Sequence, residues 1–197
     1  MKKIVMTVLV LFMLSPLLLM AEDVYIVRSG DSLWKIAQRF EIGLSEIINN
    51  NQQIDNPDLI YPNDRIKIPN KDDVKQVENL VADLTNERRI ENGLPALELD
   101  WQLSRVARHK SKDMADYNYF SHESPNYGSP FNMMDQFGIS YNQAAENIAR
   151  GQTSPEMVVN DWMNSPGHRD NILGDFTHIG VGYVEDGNYW TQMFIKR

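Results

Sequence analysis

"HIGVGYVEDGNYWTQMFI" (178–195) holds two alternating, β-prone runs, HIGVGYV and YWTQMFI, joined by Glu185-Asp186-Gly187-Asn188. Asp-Gly between such runs predicts a hairpin, because glycine enters the left-handed backbone region that a tight turn requires. Upstream the periodicity is helical. Val77, Leu80, Val81 and Leu84 share one face, and Asn92-Gly93-Leu94-Pro95 ends that helix. Leu103, Val106, Ala107 and Met114 line a second face. Ser154 caps a further helix with Pro155 in its first turn, and Val158, Val159 and Trp162 supply its buried side. Helices around a small, mostly antiparallel sheet predict an α+β fold of the α-β-α sandwich kind.

Working back toward the N-terminus, a seam falls at Ile68-Pro69-Asn70-Lys71-Asp72-Asp73. The linker is brief, so the two parts are close enough to touch. Before the seam, residues 24–69 read strand, helix, helix, strand. VYIV (24–27) is β-prone, and Ser29-Gly30-Asp31-Ser32 makes a turn with capping residues. Leu33, Ile36, Ala37 and Phe40 recur on one helical face. Leu44, Ile47 and Ile48 begin a shorter helix, and NDRIKIP (63–69) ends with alternating Ile66 and Ile68.

The first residues bear on destination. Lys2 and Lys3 precede a nearly unbroken apolar run from Ile4 to Met20, with Pro16 inside it and Ala21 at its end. This is the layout of a secretory signal peptide over residues 1–21; the rival reading is a retained membrane anchor. No other stretch is apolar enough to span a bilayer. The expected organisation is therefore signal peptide 1–21, a first module 22–69, a linker 70–72 and a second domain 73–197. There is no cysteine, so packing alone must hold both parts. Thiol catalysis, cysteine-ligated zinc and lipidation of an N-terminal cysteine are excluded. The net charge of −8 becomes −10 without the two leader lysines. An acidic chain lacking basic runs is a poor match for a phosphate backbone, so no nucleic acid partner is expected.

Four histidines are present. His109, in RVARHKSK, falls on the charged side of a helix and reads as solvated. His178 opens a strand. His122 lies in the Ser-, Pro- and Gly-rich loop YFSHESPNYGSPF, and His168 follows the break Pro166-Gly167 in NSPGHRDNIL. Loops carry binding groups more often than core elements do, which singles out His122 and His168.

Two family resemblances rest on these segments. YIVRSGDSLWKIAQRF, LSEIINNNQQI and NPDLIYPNDRIKIP together resemble a LysM module along its whole length. The resemblance implies a βααβ fold and binding of N-acetylglucosamine glycans, peptidoglycan in bacteria. It places the glycan groove between the two loops that hold Gly30, Asp31, Ser32, Leu59, Ile60, Tyr61 and Pro62. Asp31 and Ser32 also read simply as helix caps, and Leu59 to Pro62 as a turn.

LTNERRIENGLPALELDWQLSRVARHKSKDM, YFSHESPNYGSPF, AAENIARG, VVNDWMNSPGHRDNIL and THIGVGY resemble a CAP domain, the superfamily of cysteine-rich secretory proteins, venom antigens and pathogenesis-related proteins. This resemblance implies a cleft in which His122, His168 and Glu146 converge. The fourth, acidic position of many relatives falls on Ser165 here, and Glu123 is a possible substitute. Two imidazoles and a carboxylate suit a divalent metal such as zinc, with His122 and His168 as ligands. Without metal, Glu146 could serve as a general base. The bland alternative is that the three residues only tie loops to the core. HESPN carries Asn126 where the zinc motif H-E-x-x-H needs a histidine, and no G-x-S-x-G elbow or phosphate-binding loop is present; the catalytic residues, if any, stay unassigned. The sequence thus leads to a secreted, wall-associated binding protein, with a metal-dependent hydrolase and a structural spore-coat or envelope protein as alternatives.

Overall fold

The computed structural model describes residues 23–197, so the expected signal peptide lies outside the described residues. Among these, no helix is long and apolar enough to cross a membrane. The first module is βααβ: β1 (Asp23–Ile26), α1 (Leu33–Arg39), α2 (Leu44–Asn50) and β2 (Arg65–Ile68). β1 and β2 pair antiparallel, with Tyr25 opposite Ile66. Leu33, Ile36 and Ala37 of α1 and Ile47 of α2 bury against Val27, Ile66 and Ile68, as the 3.6-residue and two-residue periods require.

The second domain follows as α3 (Asp72–Glu91), β3 (Glu98–Leu99), α4 (Trp101–Asp116), α5 (Pro130–Gln136), β4 (Gln143–Arg150), α6 (Pro155–Asn164), α7 (Pro166–Ile172), β5 (His178–Val184) and β6 (Tyr189–Lys196). Its sheet has the order β3-β5-β6-β4. β6 is antiparallel to both neighbours, and only the two-residue β3 runs parallel, to β5. The hairpin forms as predicted, with Gly187 and Asn188 both at positive φ. β6 is buried on both faces because a helical layer covers each side. α3, α6 and α7 pack Val81, Val158, Trp162 and Ile172 on one face against Trp190 and Phe194. α4 and α5 pack Leu103, Val106, Met133 and Met134 on the other against Met193 and Ile195. This is the expected α-β-α sandwich.

Two glycines set the distance between α4 and β5. A Cβ at Gly180 would lie 2.4 Å from the Leu103 backbone, and one at Gly182 would lie 2.1 Å from the Ala107 backbone. Two residues apart on a strand, they share a face and let the helix rest directly on the sheet.

Arg89, 1% exposed, ties α3 to the far end of α7. It donates to the carbonyls of Pro95 (3.0 Å), Ile172 (2.7 Å) and Gly174 (2.8 Å). Arg89→Met would leave these three carbonyls without their charged donor. We expect it to cost about 3 kcal/mol, read as a lower urea midpoint at unchanged slope.

One sequence expectation fails here. His109 is not solvated: its Nε2 is buried, and the ring lies 5.0 Å from that of Phe137. The charged side of α4 is covered by the first module, which sits on it through Glu46 of α2. Periodicity within one helix reports polarity and cannot reveal that another domain caps a polar face.

Candidate functional site

β4 is the edge strand of the sheet, so segments from both helical layers reach it. Consecutive residues of a strand point to opposite faces, and Glu146 and Asn147 each engage one side. Glu146 Oε1 lies 2.7 Å from His122 Nδ1, in the loop after α4. Asn147 donates its side-chain amide to the His168 carbonyl (3.1 Å), in α7. His122 and His168 thereby line one cleft of about 550 Å3, together with Glu123, Arg150, Trp162 and Ser165. Of the three candidates His122 and His168 line the cleft, with Glu123 in the same wall; Glu146 is buried behind His122 and reaches the cleft only through that ring.

The local break before His168 differs in kind from the expected one. Ser165 ends α6 and precedes α7, and Pro166 occupies the first turn of the new helix. Proline suits that position because its missing N–H has no intrahelical acceptor to lose. His168 therefore sits in a first helical turn, which fixes its direction more firmly than a loop would.

Buried polar side chains hold the backbones of both histidine segments. Lys110 is fully buried and donates to the His122 carbonyl at 2.7 Å. Nearby, Asp113 accepts from Ser124 (2.7 Å), Asn126 (2.6 Å) and the Tyr119 hydroxyl. On the other side Asn171 bonds Asn147 Oδ1 at 2.8 Å, and Gln192 links Asn147 (3.3 Å) to Thr85 of α3 (2.7 Å). Lys110, Asp113 and Asn147 escaped sequence reasoning. Asn147 adjoins Glu146 in AENIA and could have been read by strand alternation. Lys110 and Asp113 look like surface charges of RVARHKSKDM until α4 is docked.

The cleft's ionisation follows from burial. Desolvation pushes the Glu146 carboxyl above the usual range, opposed by its bond to His122 and by the Lys110 charge. Burial, and then the neighbouring His122, push the His168 imidazole below its usual value. Desolvation also lowers the Lys110 ammonium, against the pull of Glu146, Asp113 and Glu123. His122 is half exposed, whereas the Glu146 side chain is 1% exposed. When ionised, Glu146 accepts from His122 Nδ1–H, the tautomer that keeps the lone pair on Nε2. A divalent metal fits less well. Among the described residues no group of three or more His, Cys, Asp or Glu side chains could hold one, and Glu146 Oε1 is occupied by His122 Nδ1.

In the first module the expected glycan residues divide. Asp31 accepts from the Tyr25 hydroxyl (2.7 Å) and Arg28 N–H (2.8 Å), and Ser32 caps α1. Both are engaged in internal structure. Gly30 makes the turn at positive φ, Ile60 packs on the core, and Pro62 is exposed. Leu59 and Tyr61, each over half exposed, line a concavity of about 900 Å3 with Gln53, Asn56, Asn63 and Arg65.

Comparison with known proteins agrees with this architecture. The model of the "Cysteine-rich secretory protein family" matches residues 82–194, and the LysM domain model matches residues 25–69. A Bacillus subtilis protein, YkwD, is 61% identical over 125 residues, covering 63% of this chain and 49% of that protein. SpoIVD-associated factor A, also of Bacillus subtilis, is 46% identical over 48 residues, 24% of this chain and 12% of that protein. The crystal structure of an extracellular SCP-domain protein from Bacillus anthracis superposes with a TM-score of 0.60 at 37% identity, covering 68% of this chain and 46% of that one. The matched regions thus span about half or less of these relatives' own length.

Proposed function

As the chain belongs to the cysteine-rich secretory protein family and carries a LysM domain, we propose that it is a wall-associated binding protein. In this reading it is exported, LysM holds it on N-acetylglucosamine glycan of peptidoglycan, and the CAP cleft of His122, Glu146 and His168 receives a small ligand. One observation carries the cleft reading. Lys110 and Asn147 already fasten the two histidine backbones, so the His168 ring is not needed as a tie, and the His122 ring, bonded to Glu146 through Nδ1, lines the cleft beside it. Extracellular placement is supported by the solved relative from Bacillus anthracis, and a spore-coat setting by the name of a further LysM relative, the spore coat assembly protein ExsA of Bacillus cereus, 44% identical over 48 residues, 24% of this chain and 8% of that protein.

The glycan part rests on the LysM match and on the apolar Leu59 and Tyr61 beside side-chain amides. An aromatic face for the sugar ring and amides for its N-acetyl group are the groups that recognition needs. Titration of N-acetylglucosamine tetramer by calorimetry tests it. Tyr61→Ala is expected to weaken binding about tenfold, the loss of on the order of 1.4 kcal/mol; an unchanged affinity would remove Tyr61 from the site.

A hydrolase is the second reading, favoured by the His122–Glu146 pair. An imidazole oriented by a buried carboxylate can accept a proton at Nε2 from a bound water or hydroxyl. It requires turnover of a wall or protein substrate that is lost in both His122→Ala and His168→Ala.

A further inference from the structure

We propose that the seam between the LysM domain and α4 is an acid-sensitive latch, closed at neutral pH and opened when His109 takes up a proton. Glu46 of α2 is its centre. The carboxylate accepts from Gly43 N–H (2.7 Å) and Lys71 Nζ (2.7 Å), and Arg105 Nε and His109 Nε2 of α4 stand 3.8 and 3.9 Å away. Beside it Lys75 of α3 donates to the Phe40 carbonyl (3.0 Å) and pairs with Glu41 (3.5 Å). The contacts therefore join LysM, the linker and two helices of the CAP domain.

Two buried nitrogens at this hub have no hydrogen-bond partner, Arg105 Nε and His109 Nε2; only the imidazole can change its charge in the physiological range, and it lines a seam cavity of about 270 Å3. The groups around it decide what a proton would do. Arg105 and Arg108 face it from α4, and Lys71 faces it from the start of α3. Lys112, Tyr183 and Glu185 line the same cavity. Arg108 is already paired with Glu78 of α3, and Lys112 with Asp116. Glu46 is thus the anion nearest the ring, and it already answers Lys71 and Arg105. A charged imidazole adds a further cation to a partly buried, cation-rich seam, and separating the domains returns it to water.

The direction of the pH dependence is fixed. Burial, then Arg105, push His109 down to about 4 in the closed form, with Glu46 opposing. In the open form it returns to its ordinary value near 6.5. The open form therefore binds the proton better. Closure is at full strength above about pH 6.5 and weakens toward pH 4, by roughly tenfold per pH unit. Glu46 acts in the same sense at lower pH. Burial pushes its carboxyl up, but the Lys71 bond and charge and the Gly43 bond outweigh that and hold it below its usual value, so its protonation removes the hub. The latch would let the cleft change its orientation to the anchored module with the acidity of its surroundings, whatever ligand the cleft takes.

The chain has no cysteine, so two introduced ones can carry a dye pair without interference. Asn49→Cys on α2 and Glu156→Cys on α6, both at exposed positions, would report the interdomain distance by energy transfer from pH 8 to 4, with far-UV circular dichroism recorded alongside. The expected result is a lengthening between about pH 6.5 and 4 at constant ellipticity. His109→Gln and His109→Phe should both lose that transition, and Glu46→Gln should be open at neutral pH. A constant distance down to pH 4, the same transition without His109, or loss of ellipticity before separation would each overturn the latch.

Discussion

Gly182→Ala is expected to cost at least about 3 kcal/mol, the upper range for overpacking. The added methyl would meet the α4 backbone at 2.1 Å. Backbone cannot rotate aside as a flexible side chain does, so α4 must lift from β5 and open its contacts along the sheet. Gly167→Ala is the matched control. It lies inside α7, has no heavy atom within 4 Å of the added carbon and is not held at positive φ. It should be neutral or stabilising by up to about 1 kcal/mol through helix propensity. Urea unfolding of the two variants separates them, and equal midpoints would mean that the GVG contact does not set the helix–sheet distance.

Lys110→Met is the second large effect. The ammonium is fully buried, and its field offsets the charges of Glu146 and Asp113, both buried. Removing it strands two carboxylates in low dielectric and takes the donor from the His122 carbonyl, a loss of about 3–5 kcal/mol. His122→Ala removes a half-exposed ring but leaves the buried Glu146 carboxyl without its hydrogen-bond partner, and should cost about 1–3 kcal/mol. Cleft ligand binding should fail in both variants, yet Lys110→Met should lower the thermal midpoint further than His122→Ala. Equal, small shifts would deny Lys110 its role as the support of the loop.

The elements with a strict period were legible in the sequence. The β5–β6 hairpin was written in Asp186-Gly187, and the faces of α4 and α6 in their apolar spacing; on α3 the apolar spacing gave Val81 but also Leu80, which is exposed, because the buried face turns to polar Glu78, Thr85 and Arg89. β4 went unread as a strand: QAAENIAR mixes small and polar residues at an edge, where burial is uneven. Short α5 and α7 are set by capping Ser129 and by Pro166 more than by propensity. At the site, motif resemblance picks out His122, Glu146 and His168, and edge strand β4 is what brings the two histidine segments together, through Glu146 and Asn147. Lys110, Asp113 and His109 were not legible, because a charged residue on a helix declares itself buried only once its partner from a distant segment is in place. Asp31 and Ser32 show the reverse: the residues that match a motif can be occupied in holding the turn.

The central claim divides the labour: LysM holds the wall, and the CAP cleft takes a separate ligand. Co-sedimentation of the chain with purified peptidoglycan sacculi measures this directly, comparing wild type with Leu59→Ala/Tyr61→Ala and with His122→Ala/His168→Ala. The account predicts that the first double variant stays in the supernatant, whereas the second pellets like wild type. Wall binding that survives loss of Leu59 and Tyr61, or that disappears with the two histidines, would contradict it.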